Sequence, residues 1–298
     1  MYRAIAPSST TAKRIFYISI IFVLIPLLFA CSETTVLLSS RIPSSLVSPK
    51  VITLPFAPDE VCYSSYSQTF LLLSQKDNVI YRLDQQGKIV QRIGEFGFKE
   101  GQFLGITDIA VDGMGNLFVI DRAVNKIIQF DEMGQFVNSI TFEEIIEPGL
   151  IAVRDNGELL IIDTAQNELF SYNHLGELRF RAGKFSILSP IQLSTSNDAS
   201  FVLDGESNSI LIFDNFGGII GTLDSKEIIS AIYATKDLLY YCDKYAQIFC
   251  YKVSSGTLTE LHSSGIALPS SPNSIIVYGT NLGIVEKDKL YTYEFQYD

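Results

Sequence analysis

Four stretches of this chain repeat one motif about every forty residues: an apolar strand closed by Asp, a polar turn, a second apolar strand and a Gly. The first halves are Leu117–Asp121, Leu159–Asp163, Ser200–Asp204 and Leu239–Asp243, with Asp-to-Asp steps of 42, 41 and 39 residues. The trailing Gly134, Gly176, Gly217 and Gly256 keep the same steps, and Gly87 lies 47 residues before the first of them. A single unit of this size cannot bury its own apolar faces, so neighbouring units must stack on one another. A period near forty built from short strands is that of β-propeller blades, four strands to each.

From Val51 to Asp298 there are 248 residues, which at about 41 per module makes six blades. Their expected bounds are about 59–103, 104–145, 146–187, 188–228, 229–266 and 267–298. The last segment supplies only three strands, and a missing fourth would leave an edge open to aggregation. Val51-Ile-Thr-Leu-Pro-Phe56 is an apolar stretch with no other place to go, and Pro55 suits an edge strand. The expected fold is therefore all-β: a six-bladed β-propeller of four-stranded antiparallel blades over 51–298, closed by an N-terminal strand that completes the last blade.

The first thirty residues have a different character. Lys13 and Arg14 precede the uncharged apolar run Ile15–Ala30, whose sixteen residues are short for a membrane span, which needs ~20. Residues 1–30 read as an export signal, with an uncleaved anchor as the alternative. The run ends Leu28-Phe29-Ala30-Cys31, which resembles the lipobox of bacterial lipoproteins, although Phe29 replaces the smaller residue usual there. That resemblance implies cleavage before Cys31, lipid attachment to Cys31, and residence in the envelope membrane; Ser32 implies the outer membrane where one exists. Residues 31–50, rich in Ser and Thr with Pro43 and Pro49, have little apolar surface to bury and read as a tether, with a short strand at Val36–Leu38 as an option.

The chain carries a formal net charge of −11, and residues 1–30 hold three basic residues and no acid, so their removal leaves −14. Phosphate backbones are bound through clustered Lys and Arg, and this balance argues against nucleic acid as a partner. Cys62, Cys242 and Cys250 read as buried thiols; a Cys242–Cys250 disulfide is the alternative that an exported protein permits. No CxxC or Cys/His cluster exists to hold a metal.

Between the first two blades, Gly94-Glu-Phe-Gly-Phe-Lys-Glu-Gly101-Gln-Phe103 is followed by Ile109–Asp112, Gly115–Asp121, Asn125–Asp131 and Gly134. Together these resemble an NHL repeat, most specifically over this blade and less so over the others. The resemblance implies a six-bladed propeller that binds through its faces. It implies no single chemistry, because the NHL family includes RNA binders, protein-interaction modules, receptor sensor domains and a zinc lyase.

The repeated Asp invites a catalytic reading. Its recurrence at one place in four blades, ahead of Asn125, Asn167 or Asn208, points instead to turn chemistry, since Asp and Asn side chains bond nearby backbone. The recurring Gly is a hairpin residue at positive φ. Residues that break the repeat are better functional candidates. The innermost strands of a propeller surround its channel, and here they begin near Asp59-Glu60, Asp108, Leu150, Pro190, Ser230 and Asn273, with Asp108 aligned to Leu150 and Pro190. Asp59, Glu60, Asp108 and Asn273 are the candidate channel-mouth residues, an oxygen set suited to Ca²⁺ if any ion is held. No metal site is assigned firmly.

No G-x-S-x-G elbow or P-loop is present, and His174 and His262 both fall where loops are expected, so no catalytic residue is assigned. The expected function is a membrane-tethered, non-enzymatic binding module for a protein, peptide or glycan at the cell envelope, without a cofactor. The alternative is a divalent-metal-dependent lactone or ester hydrolase with its ion in the central channel, by similarity to gluconolactonase-type six-bladed propellers. That similarity extends to blade count and the acidic residues, not to any residue string.

Overall fold

The computed structural model describes residues 41–263 and 268–297. Export signal, lipobox cysteine and the Val36–Leu38 option all lie outside these residues. Within them the chain forms six four-stranded antiparallel blades, and the single 3₁₀ turn Arg122–Val124 is the only helical element. Blade one comprises Glu60–Ser64, Thr69–Ser74, Val79–Leu83 and Ile89–Ile93; blade two Ile106–Val111, Leu117–Asp121, Lys126–Phe130 and Phe136–Ile140. Blade three comprises Pro148–Val153, Leu159–Asp163, Glu168–Tyr172 and Leu178–Ala182; blade four Pro190–Thr195, Ser200–Asp204, Ser209–Phe213 and Ile219–Asp224. Blade five comprises Ile229–Ala234, Leu238–Asp243, Ile248–Lys252 and Thr257–Ser263, and blade six begins with Ser274–Tyr278, Asn281–Glu286 and Lys289–Gln296.

The fourth strand of blade six comes from the other end of the chain. Ser45–Thr53 runs antiparallel to Lys289–Gln296, with Lys50, Val51, Ile52 and Thr53 opposite Thr292, Tyr291, Leu290 and Lys289. The expected closure is thus found, but its strand starts at Ser45 rather than Val51 and stops before Pro55. Two facts set those limits. Leu46 is fully buried between blades five and six, which holds the earlier residues in the sheet, and Pro55 has no N–H to extend the ladder. Ser45 and Leu46 also pair in parallel with His262 and Ser263, so blades five and six form one eight-stranded sheet. Part of the expected 31–50 tether is therefore strand.

Six apolar cores separate the six blades, one at each seam. The seam between blades six and one packs Ile276, Val285 and Leu290 against Val61, Phe70 and Leu72, with Leu54 beneath them. As many seams as blades means a closed ring. In blades three and four the two middle strands are buried on both faces, as in Leu159–Asp163 and Glu168–Tyr172, because a blade packs against two neighbours. Full burial of such side chains stabilises by about 1.5–3 kcal/mol each. Phe118, Phe130, Phe170, Phe201 and Phe213 all lie in the seams, as do Tyr293 and Phe295 of the aromatic C-terminal strand.

The repeated polar residues lock this arrangement from one face. The Asp121 carboxylate accepts the N–H groups of Leu104 and Gly105, and Asp163 and Asp204 accept those of Ile146 and Leu188 at the matching place. Each Asp thereby holds the loop that leads into its own blade. The following Asn takes the left-handed conformation, with φ of 57° at Asn125 and 51° at Asn167 and Asn208. Its amide reaches the next loop: Asn125 donates to Ile145 and Asn167 to Leu188. Blade five has Ala246 there, so its turn lacks that tie. At the opposite face Gly134, at φ 76°, closes a hairpin in which Asp131 accepts from Met133 and Gln135.

Candidate functional site: the central channel

An innermost strand has no neighbour toward the propeller axis, so a row of its N–H groups points into the channel and must find acceptors. Strand register defines which residues share a layer. Glu60, Asp108, Leu150, Gln192, Ala231 and Ser274 lie opposite Leu73, Ile120, Ile162, Leu203, Cys242 and Val285, one from each blade. The register shift between Pro190 and Gln192 puts Gln192, not Pro190, level with Asp108. Ala231 likewise replaces Ser230 in the layer.

Side chains of this layer answer the free amides. Asp108 accepts from Ile109 N–H on its own strand and from Ile151 N–H on the next blade, both at 2.8 Å. Glu60 accepts from Val61 N–H at 3.0 Å, and Gln192 Oε1 accepts from Ile232 N–H of blade five at 2.7 Å. One layer on, the Cys62 thiol donates to the Ile109 carbonyl and the Ser194 hydroxyl accepts from Ala234 N–H. Three seams of the channel wall, those of blades one and two, two and three, and four and five, are thus bridged by side chains from the inner strands.

Of the four residues expected at the channel mouth, the structure brings Glu60 and Asp108 together and leaves the other two outside. Asp59 is exposed and its carboxylate accepts Gln75 N–H; Asn273 is exposed and uses its backbone N–H to bond Val285. Asp59 lies one residue ahead of the strand Glu60–Ser64, and its carboxylate is held by Gln75 rather than in the cavity that Glu60 lines. Two acids do not supply the six to eight oxygens of a Ca²⁺ site, and among the described residues no group of three His, Cys, Asp or Glu converges on a metal position. Gln192 and Ser194 are not legible as channel residues because their place depends on the register shift after Pro190, and Cys62 reads in the sequence only as a buried thiol.

The channel holds an inner cavity of about 140 Å³, walled by all six innermost strands, which contains Glu60, Cys62, Asp108, Gln192 and Ser194. Toward the face of the hairpin glycines it widens to a mouth of about 330 Å³ lined by Asp112, Arg154, Asp155, Asn197, Lys236 and Tyr278. Tyr233 borders both spaces. Burial, held back by the bond from Val61, pushes the Glu60 carboxyl up to about 7. Asp108 is raised well above the usual carboxylate range by burial and then by Glu60, and Cys62 is raised by burial, Glu60 and Asp108. The Tyr233 phenol is raised chiefly by burial, then by Cys62 and Asp155.

Below the mouth lies a buried ion pair. Arg154 and Glu158 are 4% and 3% exposed, and their charged atoms meet at 2.9 Å. Arg154 also donates to Thr195 and Ser200 of blade four, and Ser171 donates to Glu158. His174 sits exposed in a blade-three hairpin and His262 exposed on the outer strand of blade five, so neither faces the channel. Cys242 and Cys250 are buried free thiols, each opposite a different partner, Ile248 and Tyr240.

The fold and site define a class: a closed β-propeller whose axial channel is lined by polar side chains. Comparisons agree with the fold. Residues 56–146 match the family model DUF5128, described as a 6-bladed beta-propeller. No curated protein sequence matches the chain. Among solved structures it is similar to virginiamycin B lyase from Staphylococcus aureus, at 16% identity and a TM-score of 0.58, over 83% of this chain and 99% of that one. A catalytically inactive histidine-to-alanine variant of that lyase with quinupristin gives 16% identity and a TM-score of 0.59 over the same shares. A streptogramin B lyase gives 16% and 0.58 over 85% of this chain and 89% of its own. Likeness at this level of identity speaks for the fold alone.

Proposed function

We propose that this chain is a membrane-tethered, NHL-type propeller that acts as a non-enzymatic binding module, receiving part of a protein, peptide or glycan in its channel at the cell envelope. One observation carries the reading: the polar side chains of the inner channel are engaged with the wall's own amides, while a space bordered by mixed polar groups stays open above them. Side chains that hold a wall together make a rigid rim, and rigid scaffolds commonly present ligand contacts at such rims. The lyase comparison lends no support to lyase chemistry, because inactivation of that enzyme's variant goes with loss of a histidine and both histidines of this chain face away from the channel.

The test is capture from envelope extract by the full chain, set against a variant with both Asn197→Trp and Lys236→Trp. Both residues are exposed at the mouth, so the bulk narrows the opening without entering a core. Capture should fall at least about tenfold, which corresponds to about 1.4 kcal/mol, at unchanged melting temperature. Undiminished capture would place binding elsewhere.

Tethering rests on Leu28–Cys31. A Cys31→Ser variant grown with labelled fatty acid should lose the label and leave the membrane fraction; label retained in the variant would overturn the lipid assignment.

A further inference from the structure

Glu60 and Asp108 occupy the same layer on adjacent innermost strands and line the same cavity. Among the described residues neither forms an ion pair, and no Lys, Arg or His lines the cavity around them. The titratable groups that face the pair are Cys62 on the strand of Glu60, Tyr63 beside it, and Tyr233 from blade five, with Asp155 beyond the phenol. All are neutral or acidic. Two like charges side by side in a space this poor in solvent, with no counter-charge, repel strongly, and such sites hold a proton instead.

We propose that Glu60 and Asp108 share a proton across the seam of blades one and two, and that release of this proton is a pH-sensitive switch on the channel. With the proton in place, the two carboxyls lie together and Asp108 keeps its bonds to Ile109 and Ile151. Once both are ionised, the seam carries two uncompensated negative charges at the end of the inner cavity away from the mouth, which loosens the wall and turns the cavity toward positively charged groups. The effect on ligand uptake rests on the binding reading above; the shared proton does not.

Linkage fixes the sign. Carboxyls raised in the folded state hold protons that the unfolded chain has already lost near its ordinary range of about 4. Stability contributed by the pair is complete below that range and is lost as pH rises through about 7, the value for Glu60. Asp204 works the other way and in a different window. Burial pushes it up, but bonds from Ser207, Ser189 and Leu188 outweigh this and leave it lowered, so its contribution is lost only as pH falls below the ordinary carboxylate range.

The experiment is a carbon-13 carboxyl titration of the full chain in detergent micelles, followed at Glu60, with the amides of Val61, Ile109 and Ile151 as reporters. Glu60 should titrate near 7, and Asp108→Asn should move its midpoint down by about one unit or more. Melting temperature of the parent chain should fall by about 2–6 °C between about pH 5 and 7.5, and Glu60→Gln should flatten that fall. A Glu60 midpoint near 4 in the unaltered chain, or a midpoint indifferent to Asp108→Asn, overturns the shared proton. Capture from extract at both ends of the range, with and without Glu60→Gln, reports on the switch. If the titration is as described and capture is pH-independent, the switch on binding falls while the proton pair stands. If nothing is captured at any pH, the binding reading falls by itself.

Discussion

Replacing Leu46 by Asp is expected to open the ring. Leu46 is fully buried among Leu261, Ile275, Tyr293 and Phe295, and it is where the closing strand touches both blade six and blade five. Truncation of such a residue to Ala costs about 2–5 kcal/mol, and a carboxylate there adds the penalty of an unpaired buried charge. Stabilities of whole domains are about 5–15 kcal/mol, so Leu46→Asp should remove most of the margin. Deletion of 45–53 should be worse, because it bares the edge of Lys289–Gln296 and invites association. Urea unfolding and size-exclusion chromatography read both. A deletion variant that stays monomeric and melts with the parent would show that the ring does not need its clasp.

The second large effect is expected at the buried ion pair. Glu158→Ala leaves Arg154 charged and buried, with Thr195 and Ser200 as its remaining close partners among the described residues, and strips Ser171 of its acceptor. Loss of one member of a buried pair costs about 3–5 kcal/mol, whereas replacement of both by apolar residues of similar size is often neutral. Glu158→Leu combined with Arg154→Met should therefore recover most of what Glu158→Ala loses. The half-exposed Arg179, 3.8 Å from Glu158, contributes little to either outcome, since solvent screens it. A loss below about 1 kcal/mol in Glu158→Ala, or a double variant no better than the single one, contradicts this account.

Legibility in the sequence followed periodicity. Asp121, Asp163, Asp204 and Asp243 recur because each blade needs the same turn, and a recurring need leaves a recurring residue. Blade count follows from that period and the chain length, and circular closure from the strand missing in the last module and the apolar stretch at 51–56. Periodicity puts the start of the closing strand six residues late, because its true start depends on a partner almost the whole chain away and on a bulge between Val47 and Lys50. The apolar Leu46-Val47 pair ahead of Pro49 was the available signal. In the channel, Glu60 and Asp108 stood out because they interrupt the repeat. Asp59 and Asn273 share with them a place near the start of an innermost strand, but each lies one residue ahead of its strand, where Asp59 accepts from Gln75 and Asn273 stays exposed. Gln192 and Ser194 gave no signal, because a register shift after Pro190 decides which of them meets blade five. Arg154 and Glu158 were hidden likewise: charged residues near a polar turn look solvated until the neighbouring blade covers them.

The most direct test of the channel as the binding site is amide hydrogen exchange on the full chain, with and without the partner recovered from envelope extract. The account predicts added protection at the mouth, at Asp112, Asn197 and Lys236, and along the inner strands at Val61, Ile109, Ile151 and Ile232, with the outer strands unchanged. Protection confined to the outer strands or to the loops around Phe98 and Phe185 would contradict it.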